Sequence, residues 1–307
     1  MVAEVDERIA GFAAEVGTQG PVAVAGGRTQ WDVGGRPHPG TRVVSAPVGI
    51  VDHRPAEMTV RVLAGTTAAA LDERLAPAGQ MVPLDIGGSA TVGGVLSVGR
   101  SGIRRLRWGP VRDYVLETRY VGADGQLVRA GAPVVKNVSG FDLVRLLVGS
   151  LGTLGCLAEV VLRTVPRPAA SEWWCGPGDQ ADAALDRLYR PAAVLWNGER
   201  TWVLLEGHPE DLVAEVDRLG GDWERSLPPS VPDAGRTSLD PAELPSIGGR
   251  LPAGSFLAQM GVGVLHLDVA AVGLVTPRRP DAAAEAIGRR IKEGFDPAGR
   301  LNPGRRP

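Results

Sequence analysis

At 307 residues the chain has room for two modest domains and a substantial core. Lys and Arg total 33 against 35 Asp and Glu, and the net charge of -2 excludes a global electrostatic pull toward nucleic acid or a membrane surface. Two cysteines, Cys156 and Cys175, cannot build a disulfide framework and fall short of the roughly four ligands of an iron–sulfur cluster, so a reduced, intracellular compartment is expected.

The opening MVAEVDERIAGF lacks the basic and apolar regions of a secretory signal. Val5, Ile9, Phe12 and Val16 recur at helical spacing and predict an amphipathic helix. PVAVAGG follows as a short buried strand closed by a glycine turn, and TVRVLAG (59–65) as a β-branched strand. In TAAALDERLAPAGQ, Leu71 and Leu75 stand one turn apart, and Pro77 and Gly79 end the helix. Residues 83–102, PLDIGGSATVGGVLSVGRSG, read as a glycine-dense loop. Residues 114–131 predict a hairpin turning at Ala123-Asp124-Gly125, and Asp142 caps a short helix running to Ser150. GCLAEVVLRTVPRP returns as a strand that Pro166 ends.

Beyond residue 168 the texture changes. Tryptophans 173, 174, 196, 202 and 223 and many prolines mark a smaller α+β unit, their rings serving as its core or as a partner-facing surface. Residues 226–245 read as loop. The apolar run 256–275 carries Gln259, His266 and Asp268 near its middle, where an aspartate in a bilayer costs about 2.5–3.5 kcal/mol. A buried strand and turn is therefore expected there. The predicted organisation is 1–168, 169–287 and a proline- and glycine-rich C-terminal segment, 288–307.

Separated glycine clusters (AGGRTQ, GGSATVGG, GSLGTLG) sit at predicted strand ends, where backbone N–H groups converge into nests that bind pyrophosphate. A linker would not interleave Val92, Val95, Leu96 and Val98. GSLGTLGC has no lysine where a P-loop needs one. A dinucleotide fingerprint of the βαβ kind asks for one glycine turn, not several spread along the chain.

Taken together, AGGRTQW, PLDIGGSATVGGVLSVGRSG, VVKNVSGFDLVRLLVGSLGTLGCLAEV and the terminal FDPAGRLNPGR resemble the vanillyl-alcohol-oxidase/PCMH family of FAD enzymes. Within that family they are most similar to the FAD-binding subunits of glycolate oxidases, over about residues 21–168 and 288–307. The resemblance implies an α+β fold: a two-lobed PCMH-type FAD-binding domain with a reduced α+β cap. It implies FAD contacts from Gly26, Gly27, Arg28, Thr29 and Gln30 in a first loop. Ala90, Thr91, Gly93, Gly94, Gly99, Ser101 and Gly102 match a second, and Gly152, Gly155 and Leu157 a third beside the adenine end. Asn302 matches a C-terminal asparagine that folds back toward the flavin. Lys136 and Asn137 match a segment near the flavin, or are a turn.

Covalent FAD attachment in this family uses a histidine or cysteine of these loops; residues 25–30 and 87–102 have neither, so non-covalent FAD is expected. A valine at position 93 or 94 is expected to abolish flavin binding while sparing the fold. One or two of Arg100, Arg104, Arg105 and Arg107 are candidates to neutralise the pyrophosphate, the others forming a solvated face. His266 resembles a histidine that ends a glycine-rich segment in catalytic relatives. Beside leucines, and without further histidines for a metal, it reads more readily as a satisfied core residue than as a base, so it is a weak catalytic candidate and no metal site is expected. The implied function is that of an FAD-binding subunit in a 2-hydroxy-acid dehydrogenase complex, passing electrons to a second flavin subunit and an iron–sulfur subunit. Such a chain is cytoplasmic and reaches the membrane only through partners. A non-catalytic assembly module with a relic FAD fold, or a stand-alone oxidase of an alcohol or sugar acid, are the alternatives.

Overall fold

The computed structural model describes residues 2–86, 88–133, 142–276 and 281–306. Up to residue 167 the helices are α1 (Val2–Val16), α2 (Ala68–Leu75), α3 (Val92–Val98), α4 (Arg105–Trp108) and α5 (Leu143–Leu147). They alternate with strands β1 (Val22–Val24), β2 (Arg42–Val44), β3 (Ile50–Arg54), β4 (Thr59–Leu63), β5 (Gln80–Met81), β6 (Val115–Val121), β7 (Leu127–Gly131), β8 (Cys156–Arg163) and β9 (Val165–Pro166). There follow β10 (Ala170–Pro177), α6 (Ala181–Arg187), β11 (Ala193–Trp196), β12 (Arg200–Gly207), α7 (Pro209–Leu219), β13 (Glu224–Ser226), β14 (Gly235–Ser238), β15 (Phe256–Gln259), β16 (Val264–Leu267) and α8 (Ala282–Phe295). The expected α+β class holds.

Two compact units divide these elements: Met1–Gly102, Pro110–Arg167 and Asp281–Pro307 form one, Ile103–Gly109 and Pro168–Pro280 the other. The arginine-rich turn 103–109 thus groups with the second unit. The returning C-terminal segment starts at Asp281, where that carboxylate caps α8 by accepting from Ala284 N at 2.7 Å.

In the first unit an antiparallel sheet runs β3-β4-β8-β6-β7. β8 reads CLAEVVLR and is buried along nearly its whole length, because α1 and α3 both pack on it. Ile9, Phe12 and Val16 are the buried stripe of α1, as their helical spacing requires. Two buried carboxylates in this sheet are held by cations: Glu159 by Arg61 at 2.7 Å, Glu117 by Arg129 at 2.6 Å. A small parallel pair, β1–β2, is extended by the C-terminal segment, with Val22 bridging Leu301. Asn302 N donates to Val22 O at 2.7 Å, so the last residues enter the fold as a strand partner.

Two segments differ from expectation. Residues 92–98 form a helix inside the glycine-dense stretch. Thr91 caps it by accepting from Gly94 N at 3.2 Å, and burial of Val92, Val95 and Leu96 overrides the poor helix propensity of Gly93 and Gly94. Within 226–245, read as loop, β14 pairs antiparallel with β16 and places Thr237 in the interior.

The second unit carries a sheet ordered β13-β10-β12-β11-β15-β16-β14. The expected buried strand and turn at 256–275 are β15, β16 and the turns around them. Trp196 is core, set edge-on to Phe256 at 5.3 Å between ring centroids; Trp174 and Trp223 pack against the same cluster, whereas Trp173 and Trp202 pack against a second one that holds Leu195, Leu204 and Leu257. Glu206, on β12, is buried and engaged from 104–108. Arg104 lies 3.3 Å from it, Trp108 Nε1 donates to its carboxylate at 3.0 Å, and Arg107 donates to its carbonyl.

Candidate functional site

One cavity in the first unit gathers residues far apart in sequence. Gly26, Gly27, Arg28, Thr29, Gln30 and Trp31 form one wall, Thr91, Gly93, Gly94, Val95 and Ser97 another. Leu151, Gly152, Gly155, Cys156 and Leu157 form a third, and Asn302 and Arg305 close the site from the C-terminal segment. Of the residues singled out from sequence, Ala90, Gly99, Ser101 and Gly102 do not line it. Ala90 O instead accepts from Ala68 N at 2.8 Å, and Ser101 Oγ accepts from Val111 N at 3.1 Å. Gly99 ends α3 at φ 68°, and a Cβ on it would stand 2.7 Å from Gly149 Cα. A Cβ on Gly102 would meet Asp85 Cβ at 2.0 Å. Lys136 and Asn137 fall outside the described residues.

The loop 26–30 is built to expose donors. Arg28 sits at φ 56°, in the left-handed region, so successive N–H groups turn toward one side. None of the five N–H groups from Gly26 to Gln30 meets a protein acceptor among the described residues. A Cβ on Gly27 would stand 1.7 Å from Ser89 O, and one on Gly26 2.1 Å from Thr91 Oγ1. These glycines are required because the first loop lies directly on the second.

The N-terminus of α3 behaves differently. Val92 N donates to Thr66 O at 2.8 Å, Gly93 N to Ala64 O at 2.7 Å, and Gly94 N to its cap. Its amides are spent inside the protein, and what α3 offers the cavity is surface. A Cβ on Gly93 would stand 2.8 Å from Ala64 Cβ, and neither Gly93 nor Gly94 has positive φ. Gly93 therefore answers to packing on β4 rather than to an unusual backbone angle.

Three buried polar atoms of the lining have no hydrogen-bond partner: Gln30 Oε1, Asn302 Oδ1 and Arg305 Nε. Such atoms are costly to bury unless a ligand or water completes them. Asn302 is anchored by its other amide atom, Nδ2 donating to Leu151 O at 2.5 Å. Five free N–H donors, one guanidinium N–H and two carbonyl-type acceptors fit a group that combines a pyrophosphate with a hydrogen-bonding ring system. FAD is such a group.

Several signals were not legible in the sequence. Trp31 and Arg305 line the cavity, with Arg305 stacked at 4.4 Å from the Trp31 ring centroid. Cys156 also lines it, but complete burial pushes its thiol up to about 12, which removes its nucleophilicity at neutral pH. Arg104 and Arg107 are engaged by Glu206 in the second unit, and neither they nor Arg100 and Arg105 line the cavity. His266 lies on β16 of the second unit, where Gln259 Nε2 donates to its Nε2 at 2.9 Å. No cluster of three or more His, Cys, Asp or Glu is placed to hold a metal among the described residues.

Residues 5–131 match the FAD binding domain family. Glycolate oxidase subunit GlcE of Escherichia coli (strain K12) is 39% identical over 199 residues, covering 61% of this chain and 57% of that protein. Glycolate oxidase subunit GlcD of Bacillus subtilis (strain 168) is 39% identical over 95 residues, 31% of this chain and 20% of that protein. The chain thus spans little more than half the length of one of these relatives and a fifth of the other. Among solved structures, an alkyldihydroxyacetonephosphate synthase superposes with a TM-score of 0.71 at 16% identity, over 98% of this chain and 74% of that one. Residues 5–131 thus match an FAD binding domain, and the chain shares the fold of that synthase.

Proposed function

We propose that the chain binds FAD non-covalently in this cavity and is the FAD-binding subunit of a glycolate-oxidase-type dehydrogenase. It is read as an FAD-dependent oxidoreductase of small 2-hydroxy acids that works with a second flavin subunit and an iron–sulfur subunit. The observation that carries FAD binding is the run of five unpaired N–H groups from Gly26 to Gln30 along the cavity wall. The substrate class and the partners rest on the similarity to GlcE and GlcD, both named as subunits of glycolate oxidase.

Bound flavin supplies the capacity to accept two electrons from the substrate carbon. The chain's own residues supply the rest. The amides of residues 26–30 hold the diphosphate without consuming a lysine at each oxygen. Asn302 presents its Oδ1 as a fixed acceptor, because its Nδ2 is tied to Leu151 O. Leu151, Val95 and Leu157 exclude water from the walls between the polar groups. Cys156, held as a thiol, offers no attachment point, which supports non-covalent binding. No helix among the described residues is long and apolar enough to cross a membrane, so membrane contact in this reading comes through partners.

The test is reconstitution of the pure chain with FAD, followed by acid precipitation and a dye-linked assay with glycolate and D-lactate. Flavin fluorescence quenched on binding, and flavin released wholly into the acid supernatant, are the expected results. Turnover is expected with partner subunits and not without them. A chain that fails to bind FAD, or that retains flavin in the pellet, overturns the cofactor reading. Robust turnover by the chain alone overturns the subunit reading.

A further inference from the structure

Residues 103–109 leave the first unit and fold into the second. The chain departs and returns at one place in the first unit, where Ser101 Oγ accepts from Val111 N at 3.1 Å. Glycine is required at both ends. A Cβ on Gly102 would meet Asp85 Cβ at 2.0 Å, and Gly109 ends α4 at φ 77°. Within the second unit the segment feeds two apolar clusters. Ile103 packs with Leu195, Leu204 and Leu257, and Leu106 with the cluster that holds Trp196 and Phe256. Glu206 is its anchor. Only 2% exposed, the Glu206 carboxylate accepts from Trp108 Nε1 at 3.0 Å and faces Arg104 at 3.3 Å, while its carbonyl takes Arg107. A carboxylate so buried is costly without such partners. Residues 168–280 therefore complete neither their core nor their charge pairing without a piece of chain whose ends belong to the first unit.

We infer that 103–109 is a strap through which FAD bound in the first unit and the order of the second unit stabilise each other, with Glu206 as its latch. This rests on the FAD reading above. While the first unit is folded both strap ends are fixed, and the strap meets its seat at Glu206 at a high effective concentration. Unfolding of the first unit frees the ends and lowers that concentration. A ligand that binds only the folded first unit thus adds to the stability of the second, and by linkage the docked strap adds to FAD affinity. The cavity wall itself runs into the strap, because Val98, which lines the cavity, ends α3 shortly before Ser101 and Gly102.

The experiment is urea unfolding of the full chain with and without saturating FAD, read by the tryptophan emission maximum. Every tryptophan except Trp31 belongs to the second unit, so the emission reports that unit. The wild-type midpoint is expected to rise when FAD is added. Ser101→Ala opens the strap at its neck; Glu206→Gln keeps an acceptor for Trp108 and removes the charge that faces Arg104. Both variants should lose most of the FAD-induced rise. Leu219→Ala, a cavity in the core under α7, separates this role from a structural one: it should lower the midpoint and leave the rise intact. A rise undiminished in both strap variants, or lost equally in Leu219→Ala, overturns the inference and leaves the FAD reading standing. So does wild-type chain that binds FAD, by flavin fluorescence, with no rise at all. Wild-type chain that binds no FAD overturns both.

Discussion

Asn302 Nδ2 donates to Leu151 O at 2.5 Å, joining two residues that both adopt left-handed backbone, at φ 46° and 53°. The bond crosses the chain from its C-terminal segment to the turn before β8, and Gly152 lies beneath it. A Cβ on Gly152 would stand 2.8 Å from the Asn302 amide, so the glycine is required by this contact as well as by its own φ of 69°. Asparagine tolerates left-handed backbone better than alanine, and here its side chain also satisfies a buried carbonyl.

Asn302→Ala is therefore expected to lose about 1–3 kcal/mol of stability, the cost of leaving a buried acceptor unpaired. Urea unfolding should show a lower midpoint at unchanged slope. FAD affinity should fall as well, because Asn302 is one of the cavity's lining residues and its Oδ1 is buried without a partner. Lost stability with unchanged FAD affinity would show that the amide serves the fold alone.

Gly93 and Gly94 stand side by side and are expected to respond differently to a branched side chain. Valine at 93 would drive its Cβ into Ala64, whose carbonyl oxygen lies 2.9 Å from that position and accepts the Gly93 N–H. Gly93→Val should unfold or strongly destabilise the chain, by more than about 3 kcal/mol, as overpacking against backbone does. At Gly94 a Cβ would meet only Thr91 Oγ1, at 3.0 Å. Gly94→Val should keep the fold and weaken FAD. Circular dichroism and flavin titration of the two variants decide this, and equal behaviour in both measurements defeats it.

The glycine loops were legible because each carries its own signal, a glycine where two backbones meet. Gly26 and Gly27 announce a close approach whatever they approach. Trp31 and Arg305 carry no such signal, since their partnership depends on a strand bridge at Val22 and Leu301 that no local pattern marks. Arg104 and Arg107 of RSGIRRLR are drawn to Glu206 instead of the cavity, for the complementary reason. A cationic cluster reads as phosphate-directed until Glu206, about a hundred positions later, is known to engage it. β14 was hidden by prolines around it, although Thr237 and its neighbours pair with β16 in regular register.

Arg300 ties the C-terminal segment to three other parts of the first unit. Its Nη2 donates to Val16 O at 2.7 Å, Nη1 to Ala123 O at 2.9 Å and Nε to Gly20 O at 3.1 Å. Arg300→Leu strands these carbonyls and should cost more than about 3 kcal/mol, summing modest values for each. Because Leu301 and Asn302 follow directly, the variant should also expose the tail to carboxypeptidase and weaken FAD. A tail as resistant as wild type would mean that the strand bridge holds without the arginine.

Cys156 supplies the pH-dependent prediction. Burial raises its thiol from 9.0 to about 12, with Asp296 adding to the rise while Arg300 and Lys292 oppose it. Between these values the unfolded chain has lost the proton that the native chain keeps, so native stability must fall as pH rises. The contribution is fully present below pH 9.0 and is lost toward pH 12, at up to about 1.4 kcal/mol per unit. Cys156→Ala should remove this dependence, giving a flatter stability profile from pH 9 upward when unfolding by urea is followed at successive pH values. In the same range the wild-type thiol should resist iodoacetamide until the chain is unfolded, as peptide mapping by mass spectrometry would record. Rapid alkylation of Cys156 in folded protein at pH 8 would show that the thiolate forms in the native cavity. The case against covalent attachment at that wall would fall with it.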